Sequence, residues 1–153
     1  MTGSDPGGNL WYYGNTPISS SVSIQTLKKT KLVIRNLLRR NGETAAKIIG
    51  KDYLKFAEYV GDKKIWDYKR DEVRDNDPIL KEIKDIPYVM IGNTLLSWHD
   101  FGNFHYGYVG KKAGFSYFPE LIVGSLYAAK FNWDDNEKKD EIWIGVGYFY
   151  EGN

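Results

Sequence analysis

The chain has 153 residues, 42% of them hydrophobic and 27% charged, with a mean hydropathy of -0.50; it is the size of one globular domain and too polar for a membrane protein. It contains no cysteine, two histidines and 12 tyrosines, which removes disulfides, thiolate nucleophiles and cysteine-ligated metals and leaves His99, His105, carboxylates, Lys/Arg, Tyr and Ser/Thr to carry any chemistry. A formal charge of +1, from 21 basic and 20 acidic residues, excludes a globally polycationic coat for nucleic acid, so the distribution of charge matters more than its sum.

Met1 to Asn9 are rich in Gly, Ser, Asp and Pro and lack the basic start and apolar run of a signal peptide. They read as the core of a flexible leader or linker over residues 1–19, followed by a single domain over 20–153. No stretch approaches the roughly 20 apolar residues that span a bilayer. After the Ser19-Ser20-Ser21 cap candidates, Ile24, Leu27, Ile34, Leu37 and Leu38 recur at helical spacing, predicting a helix from about Ser21 to Arg40 that Asn41-Gly42 ends. Its polar positions, Lys28, Lys29, Lys31, Arg35, Arg39 and Arg40, form either a phosphate-tracking patch or a solvated face with cations massed at the favourable end of the helix dipole.

A second helical region covers Glu43 to Val60, interrupted at Gly50, restarted with Asp52 as cap and stopped by Gly61. The charged stretch that follows holds Trp66-Asp67-Tyr68-Lys69. Two aromatics in so polar a segment imply that it packs onto the domain body and holds Asp67 and Lys69 in place; in an extended segment those two side chains share a face. Asp77-Pro78 starts a short helix to about Lys84, and Tyr88 to Ile91 and Thr94 to Trp98 form a hairpin about a Gly-first turn at Gly92-Asn93.

From Asp100, read as an N-cap, a helix runs to Gly114. Asn103, Gly107 and Gly110 fall on one stripe of it and Phe101, His105 and Tyr108 on another. Glycines inside a helix each cost up to about 1 kcal/mol relative to Ala, so a stripe of them marks close approach of another helix or a ligand. Ser116 caps a further helix with Pro119 in its first turn, and a last helix from about Glu137 to Tyr150 carries Ile142, Val146 and Phe149, with Asp134 and Glu137 as a capping box. The fold class is therefore mostly α, a compact helical domain with a short β-hairpin around residues 88–98.

Trp66-Asp67-Tyr68-Lys69, the Asp100-Phe-Gly-Asn-Phe-His-Tyr-Gly-Tyr-Val-Gly110 run, Ala113-Gly114-Phe115 and a closing segment with Asp134-Asp135 and Asp140-Glu-Ile-Trp-Ile-Gly-Val-Gly-Tyr148 resemble the bacterial polymorphic toxin type 44 family, in order, over roughly Ile34 to Tyr150. The sequence departs from that pattern at Gly61 to Ile65, where a Gly-Gly-Pro-like run is usual, and at Lys111, where Arg is common. The resemblance implies the toxin tip of a larger secreted effector used in interbacterial competition, acting in the target bacterial cell and matched by a cognate immunity protein, with nuclease activity as the expected chemistry.

On the residues themselves, His105 serves as general acid/base toward a ribose 2′-OH or a water, Lys69 or Lys111 stabilises charge on phosphate, and Tyr106 or Asn103 positions it. Asp67 joins this set through the motif it shares with Lys69. Trp66, Tyr108, Arg35 and Arg39 complete the substrate contacts, with RNA favoured over DNA. The structural alternative for His105 is a histidine packed across a helix interface. His99-Asp100 is a secondary candidate for acid/base work or for a divalent ion shared with Asp134 or Asp135, although Asp100 and Asp134 are already explained as caps; two histidines and scattered carboxylates make no ligand motif, so no cofactor or metal site is assigned, and a divalent ion stays open. Two other classes stand beside the nuclease: a peptidoglycan hydrolase using Asp67, Asp100 or Asp134, and a non-catalytic binding module with a Tyr/Trp-rich surface.

Overall fold

A computed structural model describes residues 12–13, 16–17, 23–128 and 135–152. Ser23 caps the first helix, α1 (Ile24–Thr44), its hydroxyl accepting from Thr26 N at 3.1 Å. Leu27, Thr30, Ile34, Leu37 and Asn41 alternate at three and four residues and form its buried stripe. The helix does not stop at Asn41-Gly42 as the sequence suggested. Both residues are buried there, Asn41 in a polar network and Gly42 beneath Tyr108, whose ring would lie 3.2 Å from an added Cβ, so tertiary contacts override the local stop signal. The chain continues through a π-helical turn (Ala45–Ile49) to Gly50, whose φ of 47° ends it. Asp52 then caps α2 (Tyr53–Val60) by accepting from Lys55 N.

A short α3 (Asp71–Asp75) and a 3-10 turn (Leu80–Ile83) follow, the turn led by Asp77, whose carboxylate accepts from Ile79 N. The hairpin forms as expected from β3 (Tyr88–Ile91) and β4 (Thr94–Ser97), with Met90 opposite Leu95 and a φ of 59° at Gly92. Two short strands, β1 (Tyr12–Tyr13) and β2 (Thr16–Pro17), extend the sheet to the order β2-β1-β4-β3, with Tyr13 paired to Leu95; part of the segment expected as a leader is thus in the sheet. Thr30 ties sheet to helix by accepting from Met90 N while donating to Leu27 O.

Ser97, not Asp100, caps α4 (Trp98–Ala113); Asp100 occupies its first turn and donates its backbone N–H to the Ser97 hydroxyl. Gly114, at φ 98°, terminates it. A π-helical turn (Tyr117–Ile122) leads into α5 (Val123–Ala128), and α6 (Asp135–Tyr148) closes the domain. The expected Asp134 cap lies outside the described residues.

The glycine stripe of α4 meets α6. An added Cβ at Gly107 would fall 1.9 Å from Ile144 O, and one at Gly147 would fall 1.8 Å from Phe104 O. The two backbones are in contact, and only residues without a side chain permit it. Because this contact selects the small-residue side of α6, Ile144 and Gly147 turn inward while Ile142, Val146 and Phe149, the apolar positions noted in the sequence, are exposed at 62%, 46% and 60%. The core beneath is aromatic, built on Phe56, Tyr68, Phe101 and Phe104.

Replacing Gly107 with Ala should therefore force α4 and α6 apart and cost about 3 kcal/mol, at the upper end for an overpacked site. Urea unfolding of Gly107→Ala checks it; a loss below about 0.5 kcal/mol would contradict the packing described.

Candidate active site

The Trp66–Lys69 segment is held by its own neighbours. Lys63, at φ 62°, turns the chain so that its backbone N–H donates to Asp67 Oδ2 at 2.8 Å, and Arg70 Nε donates to the same oxygen at 3.1 Å. Arg74, buried against the Trp98 ring, donates from Nη1 to Tyr68 O at 2.7 Å. Asp67 is 7% exposed. The stem of Lys69 lies against α4 at Gly102, where an added Cβ would come within 2.7 Å of Lys69 Cγ.

On the facing elements, Asn103 Nδ2 donates to Asp140 Oδ1 at 2.9 Å, and His99 Nε2 lies 3.0 Å from that same oxygen. The His99 side chain is 57% exposed and that of Asp140 29%. Tyr106 donates to Leu121 O at 3.3 Å, and burial pushes its phenol well above the usual tyrosine range. A cleft of about 420 Å³ brings Asp67, Lys69, Asn103, Tyr106 and Asp140 together, with Trp66 and Tyr53 in its walls. Trp66, Asp67, Lys69, Asn103 and Tyr106, all singled out in the sequence, thus line one cavity. His99 stands beside it through its bond to Asp140. Its partner is not Asp100, because neighbouring helical positions diverge by about 100° whereas α6 presents Asp140 directly.

His105 does not reach this cleft. Its ring is fully buried among Trp66, Tyr68 and Phe101, at centroid distances of 5.3, 4.9 and 5.9 Å. Arg40 grips Asp77 through both terminal nitrogens, at 3.2 and 2.7 Å, and donates from Nε to Asn41 Oδ1. That bond orients the Asn41 amide, so its Nδ2 donates to the Tyr68 hydroxyl and to His105 Nε2, both at 3.0 Å, while Tyr68 donates to Asp77 Oδ2. The His105 proton therefore sits on Nδ1, which has no partner among the described residues. Burial, with the Arg40 charge, pushes this imidazole down to about 3 despite Asp77. Burial alone would raise the Asp77 carboxyl, but the hydrogen bonds from Arg40, Tyr68 and Ile79 N outweigh it and hold it below the usual range. The structure thus places His105, expected as a proton-transfer group, in the core and away from the cleft, the packed arrangement that a histidine beside Phe101 on an inward stripe favours.

The remaining predicted contacts separate. Lys111 lies over the rings of Tyr148 and Phe149, at 5.0 and 5.6 Å, outside the cleft. Arg35, Arg39 and Tyr108 line a different groove. Among the described residues no group of histidine and carboxylate side chains is arranged to hold a metal, and no helix is long and apolar enough to cross a membrane. Asp134 and the side chain of Asp135, considered with His99 as metal ligands, fall outside the described residues. Asp140 is a cleft residue to which the sequence assigns no role. It lies inside the closing motif, and its spacing to Ile144 and Gly147 puts it on the glycine face of α6.

The fold and cleft define a mostly helical domain whose polar pocket is built by a Trp-Asp-Tyr-Lys loop and a glycine-packed helix pair. The profile of the Bacterial toxin 44 family matches residues 55–151, and the chain belongs to that family: it is a bacterial toxin domain. The matched span contains every residue of the cleft except Tyr53 and leaves α1 outside. No curated protein and no solved structure matches the chain.

Because His105 stays neutral in the folded state while the unfolded chain takes up a proton near pH 6.5, stability is full above that value and falls as the pH drops toward 3. Urea midpoints at pH 7 and 4.5 should differ by about 2–3 kcal/mol in stability from this residue. In His105→Gln that part of the slope disappears; a wild type equally stable at both values would contradict the assignment.

Proposed function

We propose that this toxin domain is a ribonuclease that works by general acid–base catalysis in the cleft. The observation that carries this reading is the His99–Asp140 pair at the edge of the cleft, whose carboxylate accepts from Asn103 at 2.9 Å and lines the cavity with Lys69 and Asp67. With His99 Nε2–H donating to the carboxylate, Nδ1 of this half-exposed ring carries the lone pair and takes the proton of a ribose 2′-OH. The 2′ oxygen then bonds to the adjacent phosphorus, the bond to the 5′ oxygen breaks, and that oxygen leaves with a proton from solvent. The products are a 2′,3′-cyclic phosphate and a 5′-hydroxyl.

Lys69 sets an ammonium beside the charge that develops on the phosphoryl oxygens, Asn103 and Asp67 orient the groups around it, and Trp66 and Tyr106 offer apolar surface to a base. The 2′-OH requirement selects RNA over DNA. As a member of its family, the domain acts within the target bacterial cell as part of a larger secreted effector, and a cognate immunity protein restrains it.

A second reading, hydrolysis of envelope glycan, is favoured by one feature: Asp62, Asp67 and Asp140 line the same cleft beside the Tyr53 and Trp66 rings, and two carboxylates flanking a sugar are the usual requirement for that reaction.

Incubating the domain with total RNA, plasmid DNA and purified peptidoglycan, with and without EDTA, separates the two. RNA should be cut in the presence of EDTA, and His99→Ala and Asp140→Asn should each slow cutting by about 10²–10⁴-fold, while His105→Gln keeps its activity wherever it is folded. Intact RNA together with shortened glycan would sink the ribonuclease reading.

A further inference from the structure

Charge on α1 is not uniformly spent on structure. Lys29 pairs with Glu82 and Arg40 with Asp77. Arg35, Arg39, Lys47 and Lys112 take part in no ion pair among the described residues. These four cations line one concavity of about 440 Å³ between α1, the π-helical turn after it and α4, together with Tyr108 and Tyr150. Arg35 and Arg39 stand one turn apart, about 6 Å along the helix axis. Tyr108 and Tyr150 lie side by side at 6.2 Å, with Lys112 over the Tyr108 ring at 5.4 Å. Among the described residues Glu43 is the one carboxylate lining the groove, so the local excess of positive charge there is large in a chain whose total is only +1.

Tyr106 faces the cleft and Tyr108 faces the groove; two positions apart on a helix they point about 200° from one another. The groove is therefore on the other side of α4 from the cleft, and a dinucleotide seated in the cleft cannot touch it. Arg35, Arg39 and Lys47 also precede the span that matches the family, residues 55–151, so this charge belongs to the part of the chain that lies outside it.

We infer that this groove is a second nucleic-acid site, seating the sugar–phosphate backbone of a single RNA strand whose scissile linkage lies in the cleft. The four cations meet phosphates and release their counterions, and the groove gives affinity without reading sequence. This rests on the ribonuclease reading for the identity of the strand and extends it: long RNA is held at two places, short RNA at one.

The test measures binding of a fluorescent 20-nucleotide 2′-O-methyl RNA, which cannot be cleaved, by polarisation at several salt concentrations. Cleavage of a ribodinucleotide is followed in parallel. Arg35→Gln/Arg39→Gln and, separately, Lys47→Gln/Lys112→Gln should each weaken binding of the 20-mer about tenfold at 0.1 M salt. Each should also reduce the slope of log affinity against log salt by about 1.4, the value for two lost phosphate contacts on a single strand. Dinucleotide cleavage should not change. Using two separate pairs guards against a variant that fails to fold, which urea midpoints report.

Unchanged affinity in both folded pairs overturns the site. So does binding of poly-glutamate as tight as that of RNA, with the same dependence on the four cations, which would assign the groove to an acidic protein partner. If dinucleotide is cleaved but the groove variants bind normally, the groove falls and the ribonuclease reading stands. If no RNA is cleaved but the variants still lose the 20-mer, the groove stands and the ribonuclease reading falls.

Discussion

The backbones of α4 and α6 touch at Gly107 and Gly147, and the rest of the cleft follows from that contact. Two helices carrying ordinary side chains pack with their axes 8–10 Å apart. With side chains absent at the crossing, Asp140 on α6 comes within hydrogen-bond distance of both His99 and Asn103 on α4. The same closeness decides which face of α6 is buried and leaves Ile142, Val146 and Phe149 outside. Lys69 reaches the site by a related device, its stem lying against α4 where Gly102 has no side chain.

Behind the Trp66–Lys69 segment, the Arg40, Asp77, Tyr68, Asn41 and His105 network holds the loop from the inside. It joins α1, the loop, the turn after α3 and α4 through bonds between 2.7 and 3.5 Å. The hydrogen bonds of the network end at His105 Nδ1, which has no partner among the described residues, and the neutral ring fits its surroundings: a protonated one would put a second cation beside Arg40 without a carboxylate of its own. The two histidines thus divide by environment. His105 serves the core, and His99, at the rim with a carboxylate, has the access that proton transfer to a substrate requires.

Much of this was legible in the residues. Helical spacing, the Asp52 cap, the Gly92-Asn93 turn and the Gly114 stop all act locally, and each stands in the structure where the sequence places it. The glycine stripe predicts close approach, and Trp66-Asp67-Tyr68-Lys69 reads as a packed loop presenting Asp67 and Lys69. What was not legible depends on partners distant in sequence. Asn41-Gly42 has the form of a helix stop, and only the network and the Tyr108 ring explain why the helix continues. His105 shares a stripe with Phe101 and Tyr108, and periodicity alone gives that stripe no direction. The last helix carries the bulky Ile142, Val146 and Phe149, but its contact is set by its glycines, and the spacing from Gly147 back to Asp140 puts the partner of His99 on the glycine face.

The central claim, that the imidazole at work belongs to His99 and not to His105, is tested most directly by nuclear magnetic resonance of the two histidine rings while a 2′-O-methyl ribodinucleotide is added. The account predicts that the ring signals of His99 shift progressively to saturation and those of His105 stay in place. Shifts confined to His105, with His99 unmoved, would contradict it.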